Sequence, residues 1–206
     1  MRRLKKLVVI GATLIGGLVL SGCGSTYQTV KGDFAPLAGE TELNIEYEYQ
    51  GMTVGDFASE DEYLQDGATE RDAEETGSGA AWKDEWRANR AARFQPKFEE
   101  LLNSRLRGSG VRVASGLGDA KYTILVKTLH TEIGWNVAIM RRPAHINLEV
   151  KVVETANRGN ELVELLGNGI PGADAWGFDY AVGDRLVQAY AKAGKELGIL
   201  LADEAY

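Results

Sequence analysis

The two histidines of the chain and two nearby glutamates are the residue types best suited to metal or acid–base chemistry. All four lie on two stretches in which apolar and polar residues alternate, as in half-buried strands: His130, Glu132, His145 and Glu149. If these stretches pair as a hairpin centred near residues 139 and 140, His130 lies opposite Glu149 and Glu132 opposite Asn147, about 5 Å apart at Cβ. The side chains could then bind one divalent metal ion. The alternative, which we favour, is the solvent-facing side of a sheet without metal or cofactor.

Two pairs of residues near predicted loops are candidates for binding a partner. Arg141 and Arg142 are adjacent in the loop between the two predicted strands, where they could bind an anionic group or simply keep the loop soluble. Trp135 and Trp176 lie in or beside loops, where they could stack on a ligand or cover the end of the core.

Cys23 is the single cysteine, which excludes an intrachain disulfide and a cysteine-rich zinc site. It follows a basic start (residues 2–6) and an apolar run of fourteen residues (7–20), which is shorter than the roughly 20 residues of a membrane span. The order of charge, apolar run and small residues is typical of a secretory signal peptide. Two interpretations give the cysteine no role: an ordinary signal peptide, or an anchor that is not cleaved, each with the cysteine present by chance.

The sequence Leu20-Ser21-Gly22-Cys23 resembles the lipobox of bacterial lipoproteins. The resemblance implies that a diacylglyceryl group is attached to the Cys23 thiol, that residues 1–22 are removed, and that the new terminal amine is acylated. Two or more acyl chains anchor a protein firmly to a bilayer. Gly24, rather than an aspartate, implies the outer membrane over the inner membrane in a Gram-negative host. The expected localisation is therefore the cell envelope, on the periplasmic or the surface face.

The charge balance argues against nucleic acid as a partner. The formal net charge is −7, and removal of residues 1–22 takes away four cations and makes it −11. A nucleic-acid-binding face needs clustered lysine and arginine. The Gly-rich stretch 167–172 matches the spacing GxGxxG, but no second parallel strand follows it, so we do not predict a dinucleotide site.

Periodicity predicts an α+β fold, a two-layer sandwich with a mostly antiparallel sheet and two amphipathic helices on one face. The predicted helices cover 82–106, with a kink or restart at Pro96, and 179–203. The predicted strands cover 42–50, 111–115, 121–133, 144–155 and 161–166.

The predicted domain organisation has three parts. Residues 1–22 are a signal peptide, 23–40 a flexible tether, and 41–206 a single domain with a solvated acidic loop at 56–85. The order of elements over 42–203 is similar to small domains of envelope lipoproteins, such as the N-terminal domain of TolB and the LpoB-type and CsgG-type proteins. The resemblance implies an accessory role in the envelope.

The expected function is therefore that of a non-catalytic binding or scaffold module, held to the lipid bilayer by acylated Cys23 and serving an envelope protein partner. The alternative is a metal-dependent or hydrolytic enzyme that acts on envelope polymers through His130 and His145. Alanine at both histidines would distinguish the two, because a binding module keeps its function.

Overall fold

A computed structural model describes residues 26–137, 140–172 and 182–206, with the backbone alone at 136, 137, 140 and 141. Cys23, the predicted signal peptide and Trp176 lie outside the described residues. Within these ranges, no helix has both the length and the apolar character needed to cross a bilayer.

The described residues form nine strands and four α-helices. The strands are β1 (Tyr27–Gly32), β2 (Glu42–Glu48), β3 (Thr53–Val54), β4 (Arg112–Ala114), β5 (Tyr122–Glu132), β6 (Trp135–Val137), β7 (Met140–Arg142), β8 (His145–Glu154) and β9 (Asn157–Pro171). The helices are α1 (Glu60–Glu74), α2 (Ser78–Asn89), α3 (Gln95–Leu106) and α4 (Val182–Glu204), with a π-helical turn (Arg90–Phe94) between α2 and α3.

Seven strands form one open, mixed sheet. Its order is β1-β9-β8-β5-β2-β4, and β3 continues the line of β2 beside β5. The pairs β1–β9, β9–β8 and β8–β5 are antiparallel, whereas β2 runs parallel to both β4 and β5. β6 and β7 form a separate two-stranded hairpin between β5 and β8. The expected α+β two-layer sandwich with a mostly antiparallel sheet is confirmed.

The core lies between one face of the sheet and the helices. Tyr190 of α4 stacks on Phe94, with ring centroids 5.0 Å apart, and its hydroxyl lies 2.8 Å from that of Thr128 on β5. The outer face carries paired charges, such as Lys127 with Glu48 at 3.0 Å. Alternation along the central strands thus separates an apolar face from a charged one.

The predicted flexible tether over 23–40 was wrong for its C-terminal part, because folded structure begins at β1. Tyr27 is buried and donates its hydroxyl to the Ala193 carbonyl at 3.3 Å. Phe34 and Leu37, in and beside a 3-10 turn, are also buried in the core. Three buried side chains thus hold the segment against the core.

The predicted acidic loop at 56–85 was also wrong, because most of it is helical. Ser59 caps α1, accepting a hydrogen bond from the Glu62 N–H at 3.1 Å, while the Glu62 carboxylate accepts one from the Ala58 N–H at 3.0 Å. Acidic residues in the first turn interact favourably with the helix dipole.

Leu64, Gly67 and Ala68 are the buried residues of this helix, and Leu64 packs in the core. Apart from Glu60, which bonds to Trp86 and Arg90, the acidic side chains of α1 are exposed, so the helix shows almost no apolar stripe.

The predicted helix over 82–106 is longer and begins at Ser78. Pro96 lies in the first turn of α3, where its missing N–H breaks the regular bonding of the helix. The π-helical turn just before it absorbs this mismatch, so the chain stays helical from residue 78 to 106.

Candidate functional site

Five of the residues singled out from the sequence meet at one end of the sheet, where β5 and β8 lead into the β6–β7 hairpin. They are His130, Glu132, Trp135, Arg142 and His145. We call this place the hairpin end. Arg141 lies on β7, and its side chain is not described.

The strand register differs by two residues from the predicted one. His130 lies opposite Asn147, and Glu132 lies opposite His145. The register changes again between Thr128 and His130, so that Glu149 lies opposite Lys127. The predicted pairing of His130 with Glu149 was therefore wrong, because the hairpin is centred one position earlier in the chain than predicted.

The two histidines nevertheless lie side by side. Their ring centroids are 5.8 Å apart, and the His130 Nδ1 atom lies 2.7 Å from the Thr53 hydroxyl. Partial burial lowers the pKa of His130, and the neighbouring His145 lowers it further. These two effects favour the neutral imidazole at His130.

The Glu132 carboxylate bonds to neighbouring groups of the protein. It is buried, accepts a hydrogen bond from the Gly134 N–H at 3.0 Å, and pairs with Arg142 at 3.3 Å. Arg185 of α4 donates to the carbonyls of Ile133 and Gly134 at 3.0 and 3.3 Å. These bonds fix the base of the hairpin against the helix layer.

The four residues of the metal hypothesis do not come together. Glu149 lies opposite Lys127, four residues along β8 from His145, and Arg142 neutralises Glu132. Among residues 26–137, 140–172 and 182–206, no three metal-ligating side chains cluster closely enough to hold an ion.

A second candidate site is a cleft of about 250 Å³ between α1, α2 and the first turn of α4. Its walls combine aromatic rings, guanidinium groups and short polar side chains: Arg71, Trp82, Glu85, Trp86, Asn89, Arg93, Val182 and Gly183. We call it the tryptophan cleft. Pockets of this composition hold a ligand by apolar contact and orient it with a few polar groups.

The tryptophans belong to an aromatic cluster that also contains Tyr63. The Tyr63 ring lies 5.5 Å from that of Trp82 and 5.0 Å from that of Trp86. The Trp86 indole N–H donates to Glu60 at 2.5 Å, so its orientation is fixed. The cleft wall is thus preorganised before any ligand binds.

The charges around the tryptophan cleft are largely balanced. Arg93 pairs with Asp184, which lies at the start of α4. The Arg71 guanidinium lies 4.0 Å above the Trp82 ring and donates to the Gly67 carbonyl at 2.8 Å. Among the described residues, no carboxylate forms an ion pair with Arg71.

Sequence reasoning missed the tryptophan cleft. Trp82 and Trp86 stand four residues apart on a helix, a spacing that places both on one face. The apolar periodicity predicts an amphipathic helix over 82–106 that contains both tryptophans, and it indicates a binding role for neither. The signal that would have found the cleft is the capping pattern at Ser59 and Glu62, which predicts the helix that supplies Arg71.

The Gly-rich stretch 167–172 is structural. Gly167 lies in β9 beside β1, and a Cβ there would approach the Tyr27 ring at 3.0 Å. The Gly169 N–H donates to the Asn147 side chain at 2.7 Å. The GxGxxG spacing therefore reflects close packing at Gly167 and a left-handed backbone at Gly169, where φ is +60° and nothing lies within 4 Å of an added Cβ.

Comparisons with known proteins leave the chain without an assigned family. No family model and no curated protein matches it. Among solved structures, it is similar to a PelC dodecamer from Paraburkholderia phytofirmans in space group P6, with a TM-score of 0.39, 10% identity, and coverage of 83% of this chain and 97% of that chain. A second PelC dodecamer from this organism, in space group C2, has a TM-score of 0.38, 10% identity, and coverage of 87% and 98%. Similarity at this level carries no argument about function.

Proposed function

We propose that the chain is a lipid-anchored envelope lipoprotein that acts as a non-catalytic binding or scaffold module for a protein partner. Acylation of Cys23 supplies the anchor, and Gly24 favours the outer membrane. The observation that supports a binding role is the tryptophan cleft, because its aromatic and guanidinium lining is preorganised and partly open to solvent.

The composition of the tryptophan cleft fits a protein partner. Tryptophan and arginine are enriched among the residues that contribute most to protein–protein affinity. The Arg71 guanidinium would donate to a carbonyl or carboxylate of the partner. Glu85 and Asn89 offer acceptors and donors at the rim. A side chain inserted between α1 and α2 would gain apolar contact with both tryptophans.

Site-specific photo-crosslinking in cells tests this binding role. The full lipoprotein carries a photoreactive residue in place of Glu85, at the cleft rim, or in place of Arg107, which is exposed at the end of α3. We expect a discrete adduct from position 85 and none from position 107. Asn89→Trp, which fills the cleft, should abolish the adduct.

The opposite results would contradict the proposal. Equal labelling from positions 85 and 107, or an adduct at 85 that persists in the Asn89→Trp variant, would show that the cleft is not where the partner binds. Circular dichroism of each variant checks that the fold is intact.

A further inference from the structure

We propose that the hairpin end faces the membrane and that the β6–β7 hairpin docks onto the anionic headgroups of the bilayer that holds the lipid anchor. This inference rests on the proposed acylation of Cys23. It adds an orientation and a second membrane contact, which the lipobox alone does not provide.

The anchor point must lie close to the folded domain. β1 begins at Tyr27, four residues after Cys23. A fully extended chain spans at most about 3.5 Å per residue, so Cys23 lies within about 14 Å of Tyr27. A lipid at Cys23 therefore holds this part of the domain against the bilayer surface.

The direction of β1 places the anchor on the side of the hairpin. Tyr27 pairs with Gly167 and Gly32 pairs with Val163, so the N-terminal end of β1 points along β9 toward Pro171. Pro171 in turn pairs with His145, at the start of β8. The chain therefore enters β1 from the end of the sheet at which the β6–β7 hairpin begins.

The hairpin has the composition of a membrane-contacting segment. Residues 135–142 read WNVAIMRR, with five apolar residues, two arginines and no acidic residue. Trp135 is 42% exposed, and Val30 of β1 is the only other large apolar side chain exposed among the described residues. Tryptophan prefers the interface between headgroups and acyl chains.

Charge favours the same orientation. The mature chain would carry −11, so an anionic surface repels most of the molecule. Arg141 and Arg142 give the hairpin the opposite charge; Arg142, with 51% of its side chain exposed, pairs with Glu132 at the base, so the net positive charge comes from Arg141. Basic residues next to a membrane anchor are attracted to anionic headgroups.

Hydrogen bonds and an ion pair hold the base of the hairpin, so that Trp135 and the two arginines can face the bilayer. Arg185 binds the carbonyls of Ile133 and Gly134, and Glu132 binds the Gly134 N–H and Arg142. The hairpin pairs with no strand of the main sheet within the described residues. It is thus fixed at its base and separate from the sheet that it extends.

Depth-dependent fluorescence quenching tests this orientation. Because Cys23 is the only cysteine and its thiol would carry the lipid, an introduced cysteine is the one free thiol. Asn136→Cys places a fluorophore on β6, and Asn160→Cys places it at the opposite end of the sheet as the matched control. The lipidated full chain is reconstituted into vesicles of phosphatidylethanolamine and phosphatidylglycerol that contain headgroup-labelled quencher lipid, or into phosphatidylcholine vesicles with the same quencher.

We expect strong quenching at 136 and little at 160, with the difference reduced in phosphatidylcholine or high salt. Arg141→Gln, which leaves the Glu132–Arg142 pair intact, should lower the ratio of docked to undocked hairpin about fivefold, and Trp135→Ser should also lower it. Equal quenching at 136 and 160 on vesicle-bound protein would overturn the inference while leaving the anchor intact. Protein that lacks the lipid by mass spectrometry and does not bind vesicles would overturn both proposals.

Discussion

At the scale of single residues, the paired histidines make the fold sensitive to pH. Partial burial and the neighbouring His145 lower the pKa of His130 below its usual value near 6.5. Between the lowered pKa and about 6.5, the unfolded chain binds more protons than the folded one at this site. The free energy of unfolding should therefore fall as the pH drops below about 6.5.

Urea denaturation at several pH values from about 7 to about 5, above the range in which ordinary carboxylates titrate, measures this effect. His130→Gln removes the titrating group and should flatten the dependence. A variant that loses stability with acid as steeply as the unaltered chain would show that His130 does not cause it.

Gly134 is the residue on which the base of the hairpin depends most. Its φ is +66°, and a Cβ would lie 2.5 Å from the Arg142 carbonyl oxygen. Gly134→Ala should lower the free energy of unfolding by about 3 kcal/mol, through backbone strain and this overlap together. Gly51→Ala is the matched control, because Gly51 has a φ of +79° but nothing within 4 Å. Chemical denaturation that gave equal losses for the two variants would contradict the close contact.

At the scale of elements, the contact between α3 and α4 depends on small residues. A Cβ at Gly198 would lie 2.6 Å from the Leu102 carbonyl oxygen and 2.9 Å from the Arg105 Cβ. Glycine to alanine normally stabilises a helix interior by about 1 kcal/mol. Here we expect Gly198→Ala to destabilise the protein by about 1–3 kcal/mol, because the helices must move apart.

Gly108→Ala serves as the control for this prediction, since no atom lies within 4 Å of the added Cβ and its φ is ordinary. Its effect on the thermal unfolding temperature should be small. A Gly198→Ala variant more stable than the unaltered chain would mean that the two helices do not touch there.

The elements with strong apolar periodicity were predictable from the sequence. β5, β8 and α4 lie within two or three residues of their expected positions, because each turns a regular apolar face to the core. β1 and α1 were missed because each has only a few buried apolar residues, among them Tyr27 and Leu64, which is too few to give a periodic pattern. Their tertiary contacts, rather than their local pattern, stabilise them.

The candidate site was predictable only in part. The sequence predicted that His130 and His145 lie on neighbouring strands, and in the structure their rings lie side by side. It could not give the register, because a hairpin's register is set by the position of its turn, and the turn lies one position earlier in the chain than predicted. The tryptophan cleft could not be predicted, because α1, which supplies Arg71 to its wall, was not predicted as a helix.

At the scale of the whole molecule, the first turn of α4 connects the two candidate surfaces. Asp184 pairs with Arg93 in the tryptophan cleft, and the next residue, Arg185, binds the base of the β6–β7 hairpin. In the proposed orientation, the cleft and the membrane-facing hairpin therefore share one structural support.

The histidine pair also separates the proposed binding role from the enzymatic alternative. The double variant His130→Ala/His145→Ala should retain the crosslinked adduct from position 85, because both rings lie away from the cleft lining. Loss of cellular function in this variant, with the adduct and the fold preserved, would instead favour chemistry at the histidines.

The lipid on Cys23 is the claim on which the account depends most, and intact mass spectrometry of the protein purified from bacterial membranes measures it directly. We predict a chain that begins at Cys23 and carries a diacylglyceryl group on its thiol, whereas the Cys23→Ser variant keeps residues 1–22 and carries no lipid. A membrane-derived chain with a free Cys23 thiol, or one cleaved at another residue, would contradict the account.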